Sequence, residues 1–248
     1  MIKTKKEIET MREGGRYLAA ILKDAEKFTK PGVTTQDIDN HVGRLCLKYK
    51  VKPAFRDYLD FPANICVSLN DEVVHGLPSD KRIIKEGDLV SLDFGALHKG
   101  FYTDAAITFG AGEIGPTQKK LIEVVRKSFF AGAKKIKAGA YLGDFSYEIQ
   151  KYIENRGFSV IRCLAGHGIG KEIHEEPTIP NFGKKGTEPI LKEGMVLAIE
   201  PMIAEKGFEL EIAPDKWTYR SVDGGLTAHF EHTLVVTKKG YDILTSLK

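Results

Sequence analysis

Cysteine is scarce in this sequence. Its three residues, Cys46, Cys66 and Cys163, are too few and too scattered for a disulfide scaffold or a thiolate zinc site. Long apolar runs are also missing, and none approaches the roughly 18 residues of a membrane span. The first ten residues hold three lysines with no apolar stretch behind them, so no secretory signal is expected. Glycine and proline stay at ordinary levels, 25 and 10 of 248 residues, which removes collagen-like and low-complexity classes. Charge of one sign is not in excess either. Thirty-seven Lys and Arg against 34 Asp and Glu leave +3, too little for a chain built to coat nucleic acid. What remains is a globular, cytoplasmic chain with material for one large domain and a buried core.

Thr4-Lys5-Lys6-Glu7 has the form of a capping box, and Ile8, Met11, Leu18 and Leu22 follow at helical spacing up to about Phe28. Pro31-Gly32 breaks that helix. Thr34 or Thr35 then caps a second, with Ile38, Val42, Leu45 and Tyr49 on one side. Strands are predicted over 64–74 and 88–109, a second helix pair over 117–137 and 144–155, and mostly strands and loops from Phe158 onward. The order of elements thus occurs twice, and two short matches share one offset. Lys30, Gly32, Asp37 and Ile38 correspond to Lys137, Gly139, Asp144 and Phe145; Lys85-Glu86-Gly87 through Asp93 corresponds to Lys192-Glu193-Gly194 through Glu200. Both offsets are 107. The chain is read as a single domain of two pseudo-symmetric halves, roughly 1–112 and 113–248, around a shared cleft.

Asp93 and Glu200 occupy equivalent places, each closing a strongly apolar strand, where an uncompensated carboxylate is costly. After Asp93 a hairpin returns to Asp104. A His98-Lys99 loop sets Asp104 opposite Asp93, and a Lys99-Gly100 loop sets it opposite Gly95. Either register places both carboxylates on one face of the sheet. Glu231, opening the strand Phe230–Val236, is matched to Asp104 across an insertion of about twenty residues around Trp217. Each acidic residue alone is commoner as a turn or cap residue, but the repeat and the hairpin gather four of them. Four buried carboxylates are balanced by two divalent ions, and His167 in Gly-His-Gly-Ile-Gly offers a nitrogen donor. This hard set suits Mn, Fe, Co or Zn, and two such ions about 3.5–4 Å apart can acidify a shared water and polarise a carbonyl. The lysine-rich stretches Lys3 to Lys6 and Lys48 to Lys52 are read as solvated faces.

Asp-x10-Asp, Gly-His-Gly-Ile-Gly with His-Glu-x-Pro, Ile-Glu-Pro and Phe-Glu-His-Thr together resemble the type I methionine aminopeptidases of bacterial form, over essentially the whole chain. The resemblance implies the α/β pita-bread fold, with antiparallel sheet and outer helices. It also implies removal of the initiator methionine from nascent chains. It makes Asp93, Asp104, His167, Glu200 and Glu231 ligands of two metal ions, Asp104 and Glu231 bridging, with Glu200 also activating water. His174 would steady the oxyanion and His75 would contact the scissile amide. Tyr58, Phe61, Cys66 and Trp217 would line the methionine pocket, and Asn70 and Thr227 would adjoin a structural monovalent cation. Phe55, Asp57, Asp60 and His229 depart from the usual pattern, where a small residue, two glycines and a glutamine are common; these departures bear on pocket size and loop conformation.

Two other readings compete. A proline-directed peptidase of the same fold is disfavoured, since those usually carry a separate N-terminal domain. A non-catalytic relative binding RNA or a protein partner is disfavoured because such proteins tend to lose ligands. Neither a zinc-finger extension nor a type II insertion is seen. A monomer is expected; a transient ribosome contact is compatible with the basic surface, though +3 is no argument for it.

Overall fold

The structure, a computed structural model, describes residues 2–247. Thr4 caps α1 (Lys5–Phe28) reciprocally with Glu7, and Thr34, not Thr35, caps α2 (Thr35–Tyr49) reciprocally with Asp37. Their apolar stripes pack Leu18, Ile21, Ile38 and Val42 against Val90, Leu92 and Phe94. Five strands follow: β1 (Lys52–Pro53), β2 (Cys66–Leu69), β3 (Glu72–Val74), β4 (Leu89–His98) and β5 (Phe101–Gly110). In the antiparallel sheet β4 is central, with β5 on one side and β1 and β2 on the other. The β4–β5 loop is Lys99-Gly100, both residues left-handed, as a tight two-residue hairpin turn requires. Asp104 therefore faces Gly95, and Asp93 faces Ala106. Of the two registers open to the sequence, this one avoids opposing the carboxylates directly.

The second half repeats the plan with α3 (Pro116–Ala133), α4 (Leu142–Glu154), β6 (Ser159–Val160), β7 (Ala165–Gly168), β8 (Glu175–Pro180) and β9 (Val196–Ile199). Then come β10 (Met202–Ala204), β11 (Leu210–Ile212), β12 (Tyr219–Ser221), β13 (Thr227–His229), β14 (His232–Val236) and β15 (Tyr241–Ile243). Its main sheet runs β15-β14-β9-β7-β8, with Leu121, Phe129, Phe145 and Ile149 of the helices packed among Leu197, Ile199 and Leu234.

The 107-residue offset recurs in the backbone bonding. Gly32 N–H donates to Ile84 O and Ile84 N–H to Val33 O; correspondingly, Gly139 donates to Leu191 and Leu191 to Ala140. The paired glycines Gly32 and Gly139, and Gly87 and Gly194, all have φ between 85° and 93°, so glycine recurs where a side chain is disfavoured.

The ladders correct the match drawn between Asp104 and Glu231. Leu89 pairs with Gly110, whereas its counterpart Val196 pairs with Val235. The returning strand is thus displaced by 125 residues instead of 107, an insertion of 18. On that register Ala106 corresponds to Glu231, and Asp104 corresponds to His229. Ala106 and Glu231 exchange both backbone hydrogen bonds, so the pseudo-twofold axis passes between them. To either side a threonine completes the seam. Thr233 Oγ1 accepts the Asp104 N–H and donates to its carbonyl, both at 2.8 Å. Thr108 Oγ1 does the same for His229, at 2.9 and 2.8 Å.

Thr108→Val and Thr233→Val should each cost about 1–3 kcal/mol, because valine keeps the shape and strands a buried N–H and C=O. Urea unfolding measures this; a loss below about 0.5 kcal/mol in both would assign the seam to other contacts.

Candidate metal centre and active site

Asp93 lies inside β4, Asp104 inside β5, His167 in β7, Glu200 just beyond β9 and Glu231 just before β14. All five line one cavity of about 150 Å³, together with His75, His174, Tyr58, Phe61, Cys66 and Trp217. Oxygens of Asp104 and Glu231 and a ring nitrogen of His167 lie within 4.8 Å of one another. His167 Nε2 is 3.6 Å from Glu200 Oε1, and Asp93 is in carboxyl–carboxyl contact with Asp104. Asp104, His167 and Glu231 thus form the tight set, with Glu200 beside His167 and Asp93 beside Asp104.

Their chemistry fits cations. Asp93 Oδ1, Asp104 Oδ1 and Glu231 Oε1 are buried without a hydrogen-bond partner. Burial, then the neighbouring carboxylates, pushes the Asp104 and Glu231 carboxyls well above their ordinary range. A divalent ion removes both penalties at once. Burial, then the His174 ring, lowers His167 to about 4, so its imidazole is neutral near pH 7. His167 Nδ1 is 2.9 Å from the Gly168 carbonyl, which can only accept; the proton therefore sits on Nδ1 and the Nε2 lone pair is free to ligate. The glycines flanking His167 serve sheet packing. A Cβ on Gly166 would press on the Ala198 carbonyl, and one on Gly168 on that of Glu176.

His75 and His174 are exposed at the mouth of the cavity. His75 holds a left-handed φ of 58°, and the Tyr58 hydroxyl lies 2.8 Å from His174 Nδ1. Phe61, Cys66 and Trp217 form an apolar wall, with Trp217 edge-on to Phe61. Trp217 arrives on the loop between β11 and β12, and β12 pairs with β3 next to His75.

Residues 9–238 match metallopeptidase family M24. The chain belongs to that family. The methionine aminopeptidase of Clostridium acetobutylicum is 46% identical over 245 residues, covering 99% of this chain and 98% of that one. The crystal structure of the Thermotoga maritima methionine aminopeptidase aligns over 99% of both chains, at 46% identity and a TM-score of 0.98. A prolidase from Pyrococcus furiosus aligns with all of this chain and 66% of its own, at 26% identity and a TM-score of 0.81. The fold is the pita-bread arrangement, and membership of the M24 metallopeptidases makes this chain a hydrolase that uses divalent metal. No helix among the described residues is long and apolar enough to cross a membrane.

In this M24 chain the departures from pattern have specific settings. Asp57 and Asp60 adopt φ of 67° and 68°, positions that glycine would fill without strain and that Asp tolerates better than most residues. Between them Leu59 is left-handed as well, 74% exposed on the cavity rim. Leu59 escapes sequence reading because an irregular loop offers no periodicity. Phe55 lines the cavity. His229 does not; it lies buried behind the carboxylates, with Nε2 3.6 Å from Glu200 Oε2 and no hydrogen bond at either ring nitrogen. This departure thus falls against the carboxylate cluster, not in the pocket wall or a loop. The solvated-face reading of Lys3 to Lys6 fails at Lys3, which is 7% exposed and ion-paired with Glu175. Asn70 and Thr227, the two residues expected beside a monovalent cation, are adjacent: the Thr227 hydroxyl lies 3.1 Å from the Asn70 carbonyl, which it reaches as a hydrogen-bond donor.

Burial raises Asp93 to about 7 and Glu200 to about 8. The folded, metal-free protein therefore holds protons that the unfolded chain releases near pH 4. The stability they contribute is full below that range and is lost as pH rises through 7 to 8. Thermal unfolding of chelated protein should show Tm falling between about pH 5 and pH 8, with a saturating divalent ion removing the fall. A flat profile after chelation would mean that the protein itself compensates these carboxylates.

Proposed function

We propose that this chain is a methionine aminopeptidase that removes the initiator methionine from nascent polypeptides, with two divalent ions held by Asp93, Asp104, His167, Glu200 and Glu231. The observation that carries the reading is one small cavity joining this donor set to the apolar wall of Phe61, Cys66 and Trp217. Four carboxylates balance two divalent ions, and a hard oxygen set with one imidazole suits Fe, Mn, Co or Zn. Bound there, the ions supply an acidified water and polarise the scissile carbonyl.

The remaining work falls to the chain. Glu200, beside His167, accepts a proton from the attacking water and passes it to the departing amine. His174, fixed by the Tyr58 hydroxyl, donates to the oxygen on which negative charge develops. His75 holds the scissile amide. The apolar wall takes the thioether, which a sulfur-tolerant slot accommodates. The small apolar cavity beside the donor set offers a place for one side chain next to the scissile bond, in keeping with cleavage at a chain end. The same reading makes the enzyme cytoplasmic and monomeric, with transient contact at the ribosome. It assigns Asn70 and Thr227 to the neighbourhood of a structural monovalent cation.

A proline-directed activity is the weaker reading, because the methionine aminopeptidases match end to end at higher identity. The test is metal-dependent release of methionine from Met-Ala peptides beside turnover of Xaa-Pro peptides. Glu231→Ala and His167→Ala should each lower kcat/KM on Met-Ala by at least about 100-fold. Wild-type rates in either variant, or preferential turnover of Xaa-Pro, would overturn the assignment.

A further inference from the structure

We propose that Lys3 and Glu175 are positioning residues for this hydrolysis: their buried ion pair fixes the 170–174 loop and, through it, the ring of His174. The inference rests on the role given to His174 above. Glu175 follows His174 directly, yet it is not among the residues lining the cavity. Its carboxylate turns to the protein interior, where Lys3 and two amides of the loop are among its donors. Oε2 is 2.5 Å from Lys3 Nζ, and Oε1 accepts the backbone N–H of Lys171 at 2.8 Å and of Glu172 at 3.4 Å. The two side chains are 5% and 9% exposed. Burial opposes the charge on Glu175, but the donors around it, the Lys3 ammonium foremost and the Glu172 N–H among them, hold the carboxyl down at about 2.

Lys3 is itself anchored. Its N–H donates to the Gly194 carbonyl at 2.8 Å, and Ile2 bridges to Met195, immediately before β9. The strut therefore runs from the root of the strand leading to Glu200, through Lys3, to the residue after His174. Gly170 supports this independently. A Cβ there would collide with Lys3 Cε and Nζ, so the last glycine of Gly-His-Gly-Ile-Gly makes room for the lysine. The same residue is pinned by its carbonyl, which accepts the Tyr102 N–H at 2.7 Å, and by its N–H, which donates to Glu172 O at 3.0 Å. A buried pair of this kind adds little net stability, because desolvation cancels most of the attraction. Its consequence is geometric: one carboxylate holds two loop amides against a rigid strand.

The test uses the full-length, metal-loaded enzyme for kinetics and the metal-free protein for exchange. Lys3→Met should lower kcat on a Met-Ala peptide about 10- to 100-fold, with KM within about twofold, since a small displacement of a transition-state group acts on kcat. Lys3→Arg should restore most of the rate. Divalent affinity, measured by calorimetry, should be unchanged. Amide exchange at Lys171 and Glu172 should speed about tenfold or more. In a His174→Ala background, Lys3→Met should cause no further loss. If Lys3→Met does not fold, Lys3→Met/Glu175→Gln, which removes both charges of the pair, is held to the same criteria. Independent, multiplying losses, or a rate loss that tracks lost metal, would overturn the inference. An impaired His174→Ala beside an unimpaired Lys3→Met would sink this inference alone, whereas an unimpaired His174→Ala would remove the role of His174 and this proposal with it.

Discussion

Four carboxylates, three of them with a buried and unbonded oxygen, crowd around one pseudo-twofold axis, and the protein cannot charge them all without cations. The strands put them there because the two halves close along β5 and the segment leading into β14, with Ala106 and Glu231 on the axis itself. Symmetry alone, however, would not give this donor set. The axis relates Asp104 to His229 and Glu231 to Ala106, so the acidic residues are equivalent only at Asp93 and Glu200. A symmetric backbone carries an asymmetric centre.

The second asymmetry makes the pocket. Eighteen extra residues in the second half form the hairpin of β11 and β12, which crosses to β3 and brings Trp217 against Phe61. The Tyr219 ring stands edge-on to that of His75, and the Thr218 hydroxyl reaches the His75 carbonyl at 3.4 Å. The half with the insertion thus builds a wall on the half without it. The apolar wall is shared: Trp217 comes from the inserted segment, and Phe61 and Cys66 from the first half.

Much of this was legible from residue types and spacing. The cap at Thr4, both helix pairs and the 107-residue offset follow from residue types and spacing; strand periodicity sets Asp93 and Asp104 on one face, and the offset brings Glu200 to the same place. The hairpin register was not, because two loops one residue apart obey the same alternation; backbone geometry at Lys99 and Gly100 decides it. The pairing of Glu231 with Asp104 failed because an insertion hides where the offset changes. Lys3 was misread because its partner lies 172 residues away, and no local pattern separates a buried lysine from its solvated neighbours. Leu59 lies in a loop whose left-handed turns, at Asp and Leu, give no glycine to announce them.

The threonine brackets at the seam bear on how the enzyme comes into being. Each half alone brings only two of the four acidic groups, and the joining contacts, Thr233 with Asp104 and Thr108 with His229, span 129 and 121 residues of chain. Such distant closures form late on a folding route. An intermediate with only one half organised holds two of the four carboxylates, so the complete acidic set exists only once the seam has closed.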